Sequence, residues 1–133
     1  MPAGLDPTRL RLTARQLSEK RWRRIGQARP ALARSLGTAG ATTFHAYACV
    51  SPRPPGGVHG DALCLCRALP DTIELADDAL VEQAVAHAQV VVRRGRARAR
   101  RLPFVACVHL RQPRRRVLVV RLPILGHQVV GRR

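Results

Sequence analysis

The sequence predicts a small α+β domain: an antiparallel sheet built from two hairpins, with helices packed on one face. Two observations carry this. Apolar residues recur at helical spacing near 7–25 and again over 78–94, and two pairs of segments with strand character flank turn-forming stretches. The length of 133 residues and the 46% apolar content suit one core. With only four aromatic residues (Trp22, Phe44, Tyr47, Phe104), that core is built from Leu, Val and Ala.

Asp6-Pro7 predicts the first helix start, an acceptor at the cap followed by a proline whose fixed φ suits the first helical position. Leu10, Ala14, Leu17, Arg21 and Ile25 then recur at helical spacing as far as Gly26, and Pro30 to Leu36 adds one or two turns before Gly37. Residues 1–40 therefore read as a basic helical segment, and 41–133 as the α+β domain proper, in the order hairpin, helix, basic linker, hairpin. In the first hairpin, TTFHAYACV at 42–50 and DALCLCRAL at 61–69 are strands joined by the turn-rich SPRPPGGVHG.

The central helix is expected over 78–94. Leu80, Val81, Ala84, Val85, Ala88, Val91 and Val92 form its apolar stripe, Asp77 or Asp78 caps it, Arg93 and Arg94 close it, and Gly95 takes the left-handed position beyond. Signals that agree on so many levels are rare in a translated non-coding frame of a GC-rich gene. Phe44, Leu63, Leu65, Phe104, Val108 and Leu110 supply the facing core. LPFVACVHL and RRRVLVVRLPIL form the second hairpin about Gln112-Pro113, and Gly126 to Val130 adds a short last strand.

The net charge is +16 and the sequence pI near 11.8. Lys20 is the sole lysine and Asn is absent, a profile that follows GC-rich codons, so the arrangement of charge says more than the total. Residues 9–34 carry nine bases and one acid, 93–133 carry thirteen arginines and no acid, and five acids with no base occupy 71–82, read as helix capping and charge balance. Guanidinium groups suit phosphate oxygens, so two clusters are expected to bind nucleic acid, RNA or a duplex backbone, without strong sequence specificity. They are Arg93, Arg94, Arg96, Arg98, Arg100 and Arg101 after the central helix, and Arg111, Arg114, Arg115 and Arg116 at the tip of the second hairpin. The absence of interleaved aromatics argues against a base-stacking single-strand reader. The alternative is a protein-interaction module or small regulatory subunit whose arginines dock on an acidic protein surface, with the 77–94 stripe available for self-association into a homo-oligomer.

No apolar run reaches the roughly 18 to 20 residues that span a bilayer, and no hydrophobic signal core opens the sequence. The expected location is cytoplasmic or another reducing intracellular compartment. The first 34 residues share the composition of an organellar targeting peptide, but their capping signals fit an ordinary basic helix.

His45-x3-Cys49, Cys64-x-Cys66 and Cys107-x-His109 would present thiol and imidazole from strand faces, the donor set of a tetrahedral zinc site. The usual two-residue ligand spacing is missing, and the cysteines are read as core residues without metal. Cys107 with His109, or His45 with Tyr47, lie two apart on one strand, without the orientation that activates a nucleophile. No Gly-rich phosphate loop, paired-carboxylate site or Gly-x-Ser-x-Gly elbow occurs. The sequence therefore names no catalytic residue, metal or cofactor.

Overall fold

A computed structural model describes residue 4 and residues 6–51, 57–93, 96–111, 114–122 and 126–132. It is an α+β arrangement. Among the described residues five helices, α1 (Pro7–Ala28), α2 (Pro30–Leu36), α3 (Gly40–Val50), α4 (Gly57–Ala68) and α5 (Asp77–Gln89), precede a two-stranded and a three-stranded antiparallel sheet. A 3₁₀ turn, Gly37–Ala39, links α2 to α3.

Helix α1 starts as the sequence predicts: the Asp6 carboxylate accepts the Thr8 N–H at 2.9 Å and Pro7 occupies the first turn. It runs through Gly26 to Ala28, because Arg29, restricted by the proline after it, is the first residue to leave the helix (φ −138°). Gly26 does not stop the helix, and a Cβ there would make only an ordinary contact, 3.7 Å, with that of Ala33 in α2. Gly37 has a positive φ of 55°, which the turn after α2 requires.

The first predicted hairpin is absent, and both of its strands are helices. Gly40, Phe44 and Tyr47 are buried in α3 and Ala48 packs beside them, a spacing of i, i+4, i+7, i+8. In α4 the spacing i, i+4, i+7 puts Val58, Ala62 and Leu65 on the same core, with Leu69 following the helix end. Strand propensity in 42–50 rested on Thr42, Thr43, Val50 and two rings, and burial of the rings on a helical face outweighs it. The resulting core draws Ile25, Leu32, Leu36, Phe44, Tyr47, Ala62 and Leu65 from all four of the first helices, and Trp22 stacks on Phe44 at 5.9 Å between ring centroids. Arg21 of α1 reaches across to Asp61 of α4 in a bidentate pair, at 3.0 and 2.6 Å. Thus Phe44 and Leu65 line a helical core, whereas the sequence predicts them on sheet strands facing the central helix.

Helix α5 is shorter than predicted. It ends at Gln89, and Val90–Arg93 continue as strand β1, paired with β2 (Arg96–Ala99) so that Val91 faces Arg98 and Val92 faces Ala97. Three consecutive β-branched residues favour the extended chain once a partner strand is present. Val91 and Val92 therefore leave the helical stripe, and residues 93–101, expected as a linker, largely form a hairpin; Arg94 and Gly95 lie outside the described residues. The cap position is Ala76, which makes no side-chain bond, in place of Asp77 or Asp78; Asp78, inside the first turn, accepts the Ala79 N–H at 2.9 Å. At the other end the free carbonyls are met by Arg100 and Arg121: Arg100 Nε donates to His87 O at 2.9 Å, and Arg121 Nη1 to Ala88 O and Gln89 O at 3.1 and 3.0 Å.

The two strands of the second hairpin pair as predicted, β3 (Phe104–Leu110) with β4 (Arg115–Leu122), with Leu110 opposite Arg115 and Phe104 opposite Arg121; the expected turn residues Gln112 and Pro113 lie outside the described residues. Strand β5 (Gly126–Arg132) adds to β4, two residues longer than expected, and gives the order β3-β4-β5. Ala84, Val85 and Ala88 of α5 pack against Phe104, Ala106, Val108 and Val119, a second and smaller core. The other side of α5 faces α2: Glu82 accepts the Ala31 and Leu32 N–H groups at 3.1 and 2.8 Å, and so supplies the cap that Arg29 cannot give α2. Among the described residues no helix is long and apolar enough to cross a membrane.

Candidate nucleic-acid interface

The two arginine clusters divide by use. From the first, Arg100 is half-buried: besides clamping α5 it lies 4.5 Å from the Phe104 ring centroid, and its N–H donates to Gln89 O at 2.8 Å. Arg98 and Arg101 are exposed, beside a hollow that Val91 and Leu102 also line. Arg93 ends β1 and Arg96 begins β2, directly opposite each other in the ladder, while Arg94 lies outside the described residues. From the second, Arg111 is held by acids, its backbone N–H donating to both Asp77 carboxylate oxygens at 3.0 and 3.1 Å and its guanidinium pairing with Glu74. Arg114, Arg115 and Arg116 are exposed around a second hollow, lined also by Leu80, His109 and Leu110. Among the described residues no ion pair or side-chain hydrogen bond engages Arg98, Arg101, Arg114, Arg115 or Arg116.

The sequence shows the arginines but cannot show which of them the fold consumes. The signal that bears on it is the acidic block at 71–82. Glu74 and Asp77 hold Arg111, Asp78 pairs with Arg34 at 3.1 Å, and Glu82 caps α2. Arg29, buried beside Glu82, donates to its backbone carbonyl, and burial lowers its pKa against the raising effect of that carboxylate. Burial and the charges of Arg67, Arg29 and Arg100 hold His87 below the ordinary histidine value.

The Cys/His set is dispersed. His45 and Cys49 lie one turn apart on α3 (3.7 Å), Cys64 and Cys66 are on α4, and Cys107 and His109 share the outer face of β3. The common sheet face expected for them does not exist, because two of the three pairs are helical. Cys64 and Cys66 pack against the helical core, and burial pushes the Cys66 thiol up to about 11, whereas Cys49 and Cys107 are exposed and do not fit the core reading. Among the described residues no group of three or more His, Cys, Asp or Glu side chains is placed to hold a metal ion. Tyr47, considered with His45, is buried in the helical core and its hydroxyl is pushed up to about 12 by that burial.

No curated protein matches the chain, and no solved structure does. One family model matches residues 1–71, the span of α1 to α4 with the helical core and the Arg21–Asp61 pair; both arginine clusters follow it. That match takes in more than half of the sequence, and the chain belongs to the family described as SCO6045-like, C-terminal domain.

Proposed function

We propose that this chain binds nucleic acid, structured RNA or a duplex, through its phosphate backbone and without strong sequence preference. One observation supports the reading above the others: five arginines, Arg98, Arg101, Arg114, Arg115 and Arg116, are exposed and unpaired among the described residues, on two hairpins that Arg100, Arg111 and Arg121 tie to α5. A guanidinium on an ordered strand is presented at lower entropic cost than one on a free loop, and it keeps its fork for a phosphate. Arg93, Arg94 and Arg96 belong to the same proposed surface by position in the chain. Arg100 and Arg111 become positioning residues.

The salt dependence of binding tests this. Each phosphate contact on a duplex contributes about −0.9 to the slope of log affinity against log salt. Replacing Arg114, Arg115 and Arg116 with Gln should flatten the slope by roughly 2 to 3, and replacing Arg98 and Arg101 by roughly 1 to 2, with any sequence preference kept, because phosphate contacts position without specifying. If both variants bind RNA and duplex DNA with the parent slope while keeping the parent circular dichroism, the hairpins are not the binding surface.

A further inference from the structure

Strand β3 is the edge of the three-stranded sheet, and among the described residues its ladder partner is β4 alone. On its other side, alternate N–H and C=O groups of an edge strand point outward, ready to pair with another extended chain. A cleft of about 360 Å³ lies there. One wall is a single stripe of α5, Leu80, Gln83, Ala84 and His87, at spacings i, i+3, i+4 and i+7. The opposite wall is unusual in taking both faces of the strand. Phe104, Ala106 and Val108 point toward α5, while Cys107 and His109 belong to the outer face, yet all five line the cleft. A cleft over one face of a strand touches alternate residues. One lined by the successive residues 106–109 runs along the strand's edge, where the main chain is exposed.

We propose that this edge accepts an extended peptide as a further strand, apolar at alternate positions, which meet the α5 stripe, and acidic elsewhere. The charge at its two ends selects that occupant. Past Leu80 and His109, which line both spaces, the cleft opens into the hollow of Arg114, Arg115 and Arg116; at the Phe104 end stand Arg100 and the exposed Arg101. Among the described residues no acidic side chain lines the cleft, and Glu74 and Asp77 are engaged in holding Arg111, next to Leu110. A second copy of this chain is a poor occupant. Antiparallel pairing of two β3 edges sets the Phe104 end of one against the Leu110 end of the other, and so brings Arg100 and Arg101 up to Arg114, Arg115 and Arg116. A nucleic acid would leave the alternating main-chain donors and acceptors unmatched above an apolar floor. A peptide strand satisfies both, with ladder bonds giving affinity and alternate side chains giving selectivity.

The test uses the full chain and a set of labelled, end-capped octapeptides with Val, Leu or Phe at alternate positions and Glu between them, read by fluorescence anisotropy. The expected result is saturable binding that a Lys-for-Glu set lacks. N-methylation of every second peptide amide should weaken binding about tenfold or more in one register and less than about twofold in the other, because two or more ladder bonds are lost only when the inward amides are blocked. Gln83→Glu, a mild surface change on α5, should weaken binding at least about tenfold by placing an acid in the cleft wall. Hydrogen exchange should slow at amides of 104–110. Absence of binding throughout the set, equal loss in both methylation registers, equal affinity of the Lys set, or competition for the cleft by single-stranded RNA that Gln83→Glu removes, each overturns the proposal. The phosphate-binding reading fails separately, by an unchanged salt slope in the arginine variants.

Discussion

The pair between Arg21 and Asp61 gives the sharpest stability test, because its two members are buried unequally. The Asp61 side chain keeps 3% of its exposure and that of Arg21 17%, and both guanidinium contacts go to one carboxylate with Phe44 below, 5.3 Å from the guanidinium carbon. Removing one member of a buried ion pair costs about 3–5 kcal/mol, because the survivor is left as an uncompensated buried charge. Asp61→Ala strands the arginine, which can still reach water along its partly exposed edge, and the loss should fall near 3 kcal/mol. Arg21→Met strands a carboxylate sealed between α1 and α4, and should cost nearer 5 kcal/mol. Replacing both, Arg21→Met with Asp61→Leu, should recover most of either loss, since a well-packed apolar pair often equals an ion pair in stability. Urea denaturation followed by circular dichroism measures all three, and an unaltered m-value shows that the two-state comparison is sound. Losses below about 1 kcal/mol for both single variants, or a double variant no more stable than Arg21→Met, would refute the reading of this pair as a buried, mutually compensating ion pair.

Two further outcomes follow from the same geometry. A Cβ at Gly40 would stand 2.4 Å from Trp22 Cζ2 and 3.2 Å from Leu36 Cβ, so Gly40→Ala should lose about 1–2 kcal/mol even though alanine favours helix, and the emission of Trp22, the sole tryptophan, should shift as its stacking on Phe44 is disturbed. Burial, with nearby arginine charge acting in the same direction, holds His59 and His87 below 6.5, so the unfolded chain takes up protons that the folded chain refuses. Stability should be level above about pH 7 and should fall as pH drops below about 6.5, ceasing to fall once the folded values are passed; His59→Gln with His87→Gln should flatten that decline in a pH series of melting temperatures.

What was legible in the sequence was local. The Asp6-Pro7 start of α1, the short α2, the body of α5 and the β3–β4 hairpin each carry their own signal, whether a cap, a period or a turn flanked by alternating residues. The α3–α4 region was misread because its signals compete. Phe44, Tyr47, Cys49 and Val50 favour strands singly, and only the partners of Phe44 and Tyr47, contributed by α1 and α4, decide for a helix. The end of α5 was misread for the converse reason: the stripe through Val91 and Val92 is helical in period, but β2 offers the valines a ladder, and Arg100 and Arg121 close the helix from a distance in sequence that no local rule reaches. At the candidate site, the arginine positions were visible and their occupation was not. Nothing in RRGRARARR distinguishes Arg98, exposed, from Arg100, laid over Phe104.

The acidic block explains why counting charge misjudges this surface. Its exposed pairs, Arg34 with Asp78 and Arg111 with Glu74, contribute little individually, on the order of 0–1 kcal/mol. Their effect is on position. Glu82 accepts two backbone N–H groups at the start of α2, Ser35 takes the Ala76 N–H at 2.7 Å, and Asp77 takes that of Arg111, so a dozen residues tie the family-matched helices to α5 and to the start of the β3–β4 turn. Arginines 114–116 thereby project from a turn whose root at Arg111 is anchored, and Arg98 and Arg101 flank Arg100, anchored at His87 O. An ordered array loses less conformational entropy on meeting a phosphate backbone or an acidic strand than the same arginines on a free tail would. Glu74→Gln with Asp77→Asn loosens the root at Arg111 while it removes two negative charges and frees the Arg111 guanidinium; affinity for a duplex should fall despite the added net positive charge, and the slope, which counts phosphate contacts, should steepen by no more than about one, the contribution of Arg111.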